Sequence, residues 1–415
     1  MLALLGGTPV RQQPFPAWPV FGREEEARLL RTLRSGLWGT LDGPEVAEFE
    51  TRFAAMHGCR HGIGVVNGTV SLRIALLAAG IRAGDEVIVP PYTFFSTASA
   101  VVEANAVPVF ADVDLETFNL DPKAVEAAVT PRTRAIIPVH FAGQPADMDA
   151  IVAHATARGL TVIEDAAHAH GASHRGRPAG SLGHMASFSF QSSKNLTAGE
   201  GGILTTNDDA LAEACRSIHN CGRRTGGVWY EHHSVSGNYR LGEFQGAILN
   251  CQLDRLSEQT ATRDRNGQTL AARLARLPGV YPQSRPATCT RHSHHLFMLR
   301  LVAAEFGAPR DAVLAALEAE GIPCSAGYGF PLYEQPIFRD KAFGPYLPDA
   351  ARLDYRATRC PNSELICRQC VWLGQDLFLG PQADTDDIAA AFEKVYEHRA
   401  ALARQYAASG VPQPA

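Results

Sequence analysis

The chain has 415 residues, is 46% hydrophobic and 20% charged, and carries a formal net charge of −5. Its length exceeds one ordinary domain and its composition is that of a globular protein with ample core, so two packed lobes are expected. A mild negative charge without a basic run excludes nucleic acid and anionic membrane as main partners, and no stretch approaches a membrane span.

The N-terminal MLALLGGTPVRQQP lacks the charged start of a secretory signal, and nine scattered cysteines read as reduced thiols. A cytoplasmic location is therefore expected. Residues 1–44 are rich in proline and glycine, interrupted by a helix from Arg23 to Ser35 that Gly36 ends. A second helix begins near Val46, with Phe49, Phe53 and Met56 on one face, and stops at Gly58. A short apolar strand then runs into Asn67-Gly68-Thr69, which opens a helix stopped at Gly80. Such a turn presents unpaired N–H groups and the positive end of the helix dipole, a seat for phosphate, although an ordinary cap by Thr69 reads the same way.

Beyond this point strand and helix alternate with βαβ spacing. Strands are expected at Glu86–Val89, Pro108–Val113, Ala135–His140, Thr161–Glu164, Ser187–Phe190 and Ile203–Thr206. Helices are expected at Thr97–Asn105, Pro122–Val129 and Asp147–Arg158. Several strands are continuous apolar runs, as in an α/β domain with a mainly parallel sheet covered on both faces. Ligands bind such a sheet at the carboxyl ends of its strands, here Tyr92 to Phe94, His140, Asp165 to His168 and Lys194. From about Arg255 the pattern changes to a long helix (Arg255 to Leu277), a strand (Leu296–Val302), a helix (Arg310–Glu320), an aromatic- and proline-rich loop and a final helix (Thr385–Ala407). This divides the chain into 1–254, an N-terminal segment with the large domain, and 255–415, a smaller α+β domain.

No metal is expected. Cys360, Cys367 and Cys370 supply one CxxC without a second pair, short of the four ligands of a structural zinc site. His292, His294 and His295 read as strand and loop residues, since alternation turns neighbours to opposite faces.

The sharper signal is Lys194, alone between two strands and followed by Gly199, Gly201 and Gly202. Desolvation brings a lysine's pKa toward neutrality and frees its amine to attack a carbonyl as a Schiff-base nucleophile; a surface lysine in a glycine loop is the plain alternative. Asp165 at a strand end is by default a turn residue or cap, but beside a pyridinium nitrogen it would keep that nitrogen protonated. Phe94 and His168 can sandwich a flat ring, and Ser189 can reach a phosphate. A phosphate turn, a ring-stacking aromatic, an aspartate and a Schiff-base lysine, in that chain order, together describe a pyridoxal phosphate site.

The blocks NGTVSL (67–72), PPYTFFS (90–96), VIEDAAHAHG (162–171), SFSFQSSKNLTAGEGG (187–202) and GNYRLGEFQGAIL (237–249) resemble the DegT-like sugar aminotransferases, pyridoxal phosphate enzymes of fold type I. The resemblance implies that Lys194 bonds the cofactor, Asp165 pairs with its ring nitrogen, Phe94 stacks on it and His168 lies near its other face or its hydroxyl. Gly68, Thr69 and Ser189 would hold the phosphate. Asn238 would reach it from a second subunit, making the active unit a homodimer. Ser236-Gly237 and Gly242 depart from the family's usual residues, which bears on local loop contacts. Lys194 disfavours the branch that replaces it by histidine and dehydrates.

LGGTPVR (5–11), HGIGVVNGTVSL (61–72), SFQSSKNLTAGEGG (189–202) and ELICRQCVWL (364–373) are most similar to cyclitol aminotransferases of aminoglycoside biosynthesis. The implied reaction is ping-pong transfer from L-glutamine or L-glutamate to a scyllo-inosose-type ketone, with His168, Tyr328 and Arg240 as polar contacts. A nucleotide-linked keto-sugar is the alternative acceptor, served by Arg223-Arg224 in a glycine-rich loop reaching Gly237. A non-catalytic protein that binds a phosphorylated ligand is the alternative of another class.

Overall fold

The computed structural model describes residues 1–348 and 350–408, so residues 349 and 409–415 of the expected small domain lie outside the described residues. Its centre is a seven-stranded sheet built from β1 (His61–Val65), β2 (Glu86–Val89), β3 (Val107–Phe110), β4 (Thr133–Ile136), β5 (Thr161–Asp165), β6 (Met185–Ser189) and β7 (Gly202–Thr206). The strand order is β1-β7-β6-β5-β4-β2-β3. Pairs from β6 through β3 are parallel, while β7 is antiparallel to both of its neighbours. Residues 190–201 therefore turn back as a hairpin loop instead of crossing over through a helix, and Lys194 sits on that loop. The expected strands Pro108–Val113 and Ala135–His140 are shorter and begin earlier, at Val107–Phe110 and Thr133–Ile136.

Helices α1 (Arg23–Ser35), α2 (Glu45–Met56), α3 (Gly68–Ala78), α4 (Ser96–Glu103), α5 (Pro122–Ala128), α6 (Met148–Thr156) and α7 (Asp209–His219) accompany the sheet. Aspartates cap several of them, as at Asp121, Asp147 and Asp208, each accepting an N–H of the first turn. The long helix α8 spans Glu243–Leu274, beginning twelve residues before the expected Arg255. A division at 254/255 thus falls inside one continuous helix.

The second lobe holds a three-stranded sheet, β8 (Val280–Pro282), β9 (Leu296–Leu301) and β10 (Cys370–Gly374), in the order β8-β9-β10. Helices α9 (Arg310–Ala319) and α10 (Gln382–Glu397) pack beside it. The expected final helix is two helices that break at His398, the second being Arg399–Ala408. The start of the chain belongs with this lobe: Leu2 is buried in its core, and Glu320 accepts hydrogen bonds from the N–H groups of Ala3 (2.8 Å) and Val10 (2.9 Å). Conversely Tyr333, Phe338 and Tyr355 pack into the core of the large lobe.

Cys360, Cys367 and Cys370 are free and buried, Cys360 in the large-lobe core and the other two beneath the junction. Among the described residues no helix is long and apolar enough to cross a membrane.

The end of β5 is fixed from below by Glu164. Its fully buried carboxylate accepts from His140 Nε2 (2.8 Å) and from the N–H groups of Gly180 (2.8 Å), Leu182 (2.7 Å) and Gly183 (2.7 Å). His140 Nδ1 accepts the N–H of Ala146 at 3.1 Å, which makes the ring a neutral Nε2–H donor. Burial alone would raise the Glu164 pKa, but the His140 hydrogen bond and the backbone N–H groups hold it below the ordinary value of 4.5. Its stabilisation is therefore present above that value and lost on acidification through the lower, folded-state pKa. Glu164→Ala strands these buried donors and should cost about 3–5 kcal/mol, read as a fall in the urea midpoint at pH 7; an unchanged midpoint would refute this.

Candidate active site

A cavity of about 770 Å³ opens where the carboxyl ends of the central strands meet the second lobe. Gly68, Thr69, Phe94, Asp165, His168, Ser189, Lys194 and Tyr328 all line it. They come from the start of α3, the turn before α4, the ends of β5 and β6, the hairpin loop and the segment after α9.

Two glycines let these parts close up. A Cβ on Gly68 would lie 2.7 Å from Ser189 Cβ, and one on Gly202 would lie 2.5 Å from the carbonyl carbon of Asn67. The N-terminus of α3 therefore rests directly on the ends of β6 and β7. Asn67 caps it, its Oδ1 accepting the Val70 N–H at 2.9 Å. The first N–H groups have no preceding turn to pair with, and they sit at the positive end of the helix beside Ser189. Thr69 Oγ1 lies 2.6 Å from Ser96 Oγ, adding hydroxyls to the same corner.

Asp165 accepts from Thr97 Oγ1 at 2.8 Å and from the Ala167 N–H at 3.3 Å. Burial raises its pKa, opposed by the Thr97 and Ala167 hydrogen bonds and by the charge of Lys194. Burial also pushes the Lys194 amine down to about 8, with the negative charge of Asp165 holding it up. The two side chains thus form an acid and a base whose charges depend on each other. His168 is buried, its Nδ1 has no partner, and burial holds its pKa well below 6.5. Phe94 is 58% exposed at the mouth, an uncommon setting for a phenylalanine.

His295, expected to be a simple strand or loop residue, lines the cavity with its ring 4.1 Å from that of His168. Asn195, next to Lys194, holds it: Nδ2 donates to the Ser293 carbonyl at 2.7 Å and Oδ1 faces His295 Nδ1 at 3.1 Å. His292 and His294 instead stack on each other 3.8 Å apart, beside a separate small cavity. Trp18, Gln375 and Asp376, which lie in none of the quoted site motifs, also line the main cavity, as do Gln191, Glu200 and Trp372, which lie within quoted blocks but were not singled out in them. His140 is absent from the lining because it serves Glu164.

Asn238 and Arg240 do not line the cavity of their own chain. Asn238 is exposed and bridges to Asn220, while Arg240 Nη1 donates to Asn220 Oδ1 at 2.7 Å. Arg223 and Arg224 also lie outside it, with Arg223 stacked over Trp229 at 5.3 Å. Among the described residues Lys194 is the only lysine or arginine in the lining, against Asp165, Glu200 and Asp376.

Fold and site together are those of an aminotransferase. The chain belongs to the DegT/DnrJ/EryC1/StrS aminotransferase family, whose profile matches residues 20–395. It is 40% identical over 420 residues to the L-glutamine:2-deoxy-scyllo-inosose aminotransferase of Streptoalloteichus tenebrarius, covering 97% of this chain and 99% of the relative. It is 41% identical over 372 residues to the 3-amino-5-hydroxybenzoate synthase of Amycolatopsis mediterranei, covering 89% of this chain and 94% of the relative. The crystal structure of a 3-amino-5-hydroxybenzoic acid synthase superposes with a TM-score of 0.85 at 38% identity, over 94% of this chain and 100% of the other. Membership of this family implies pyridoxal phosphate as cofactor.

The chain has four lysines, Lys123, Lys194, Lys341 and Lys394, which makes the Lys194 amine accessible to direct measurement. Competitive amine labelling of the cofactor-free protein, read by mass spectrometry, should give Lys194 a midpoint near 8. Asp165→Asn should move it lower, because the carboxylate favours the ammonium; a midpoint near 10.5 in both proteins would contradict the geometry.

Proposed function

We propose that this protein moves the amino group of L-glutamine or L-glutamate onto an uncharged keto-cyclitol of the scyllo-inosose type, in two half-reactions at one site. The observation that supports it best is the lining of the cavity. An acceptor bearing a diphosphate would need arginines or lysines, and among the described residues Lys194 is the only such cation there. Carboxylates at Glu200 and Asp376 suit the hydroxyls of a neutral polyol instead.

Pyridoxal phosphate fits the residues present. Gly68, Thr69 and Ser189 offer a helix N-terminus and hydroxyls for its phosphate, Asp165 an acceptor for its ring nitrogen, and Phe94 and His168 its two faces. The unpartnered His168 Nδ1 would instead be available to a polar substituent of the ring if His168 lies at its edge. When bound, the cofactor supplies the electron sink that makes an amino-bearing carbon acidic. Lys194 Nζ is placed to take the proton from the donor's Cα and, in the second half-reaction, to return one to the carbon being aminated. A pKa about 8 keeps a usable fraction of that amine neutral at physiological pH.

We place Asn238 at the phosphate of a second copy's site, which requires a homodimer. Its exposure outside its own cavity supports this, as do the neighbouring Val228, Trp229, Tyr230 and Val235, which are 66%, 72%, 75% and 105% exposed.

Lys194→Ala should fold yet lose more than about a thousandfold of its turnover, the scale of removing a positioned acid–base group; near-native turnover would remove Lys194 from the reaction. Mixing Lys194→Ala with Asn238→Asp chains should restore activity, because half the sites in mixed dimers are then intact. No recovery despite proven subunit exchange would place Asn238 within its own subunit's function or none. The acceptor is tested by loading pyridoxamine phosphate and following the return of cofactor absorbance across a panel of ketones. Keto-inositols should restore it, and restoration by nucleotide-linked keto-sugars alone would reverse the cyclitol assignment.

A further inference from the structure

One wall of the cavity carries a charge that the proposed cycle leaves unused. Arg263, in the second half of α8, is 0% exposed and makes no salt bridge among the described residues. Its Nε donates to the Gln375 carbonyl at 3.4 Å, its Nη2 donates to Gln375 Oε1, and its Nη1 has no partner. The guanidinium also lies over the Trp18 ring, 5.1 Å from its centroid. Trp18, Gln375 and Asp376 line the cavity, and Arg263 stands immediately behind them.

Burying a guanidinium without a hydrogen-bonded counter-ion is costly; the nearby charge of Asp376 only partly offsets the burial, so its retention here calls for a use. Orientation supplies one. A guanidinium has donors only, so the Gln375 side chain must turn its oxygen toward Arg263 and its amide nitrogen away. Gln375 is 3% exposed, and no acceptor among the described residues takes its Nε2. Nε2 is thus the polar atom that this side chain brings to the cavity. Asp376, the next residue, adds a carboxylate that can only accept while ionised. An amide donor beside a carboxylate acceptor matches a hydroxyl, which gives one hydrogen and receives another. A substrate carboxylate would meet the negative charge of Asp376, so this wall suits the ring of the acceptor better than the head of the amino donor.

We propose that Gln375 is a specificity-determining residue for the carbonyl acceptor, donating from Nε2 to a ring hydroxyl whose proton Asp376 accepts, with Arg263 as the positioning residue that sets the amide. The Trp18 and Trp372 rings bound the same space and cover the C–H faces of the sugar-like ring. This rests on the reading of the cavity as the place where an aminotransferase binds its ketone, and it extends that reading to the recognition of hydroxyls.

Gln375→Glu is the informative variant, because it keeps a partner for Arg263 while replacing the donor at Nε2. It should fold, retain cofactor and melt no lower than the parent. In single-turnover assays the acceptor half-reaction should lose about tenfold in kcat/KM, mainly through KM, while the amino-donor half-reaction changes by less than about threefold. Arg263→Lys keeps the charge without the two-point hold and should shift the same ratio in the same direction, by less. Equal losses in both half-reactions, an unaltered acceptor half-reaction, or loss of fold in both variants would overturn the proposal and assign the pair to packing. The assay uses whichever ketone the parent accepts. An acceptor-selective loss with a nucleotide-linked keto-sugar would uphold Gln375 and remove the cyclitol assignment, whereas no loss with a keto-inositol would do the reverse.

Discussion

The architecture of the site depends on the end of β5, where two adjacent acids face opposite ways. Successive residues of a strand point to opposite sides of the sheet, so Glu164 turns inward and Asp165 turns to the cavity. Glu164 is saturated by His140 and the 180–183 turn, which fixes the backbone at this point. Asp165 is then held by Thr97 and the Ala167 N–H with acceptor capacity to spare. Lys194 reaches the same space because β7 runs against the rest of the sheet and makes its loop a hairpin. One saturated carboxylate below the sheet thus frees another above it for chemistry.

Much of this was legible in the sequence because it is local. The helix Arg23–Ser35 matches its expected bounds because Gly36 ends it in a left-handed conformation. Strand positions followed from continuous apolar runs, and the cofactor-site candidates other than Asn238 line one cavity. What escaped depends on long-range partners. The reversal of β7 leaves no mark in its composition, since a strand buried on both faces reads alike in either direction. The start of α8 was missed because Gly242, Glu243 and Gly246 look like loop residues. In the fold Glu243 accepts the N–H groups of Glu45 and Val46, and Gly246 gives α2 close passage. His295 was indistinguishable from its neighbours until Asn195 was seen to hold it. Nothing local marks Trp18, Gln375 or Asp376, which reach the cavity from distant parts of the chain.

The charge balance of the cavity separates its two tasks. The corner proposed for the cofactor's phosphate offers backbone N–H groups and hydroxyls, which would bind it without adding a titratable cation. The lining also carries Glu200 and Asp376, together with the rings of Trp18, Phe94, Tyr328 and Trp372. A neutral, hydroxyl-rich ring is compatible with both, because it needs hydrogen bonds in either sense and no counter-charge.

The helix α8 has a mechanical consequence. At 32 residues it is about 48 Å long, packing on α1 and α2 at one end and on α10 at the other. Two lobes of one chain ordinarily rock about a flexible linker, but here the connecting piece is a strut embedded in both. Its second half, through Arg263 and Gln375, is also tied to the cavity wall. A swing of the second lobe would have to bend this strut or carry the wall with it. Substrate exchange that leaves the strut unbent is then a matter for the rim, where Phe94 stands 58% exposed.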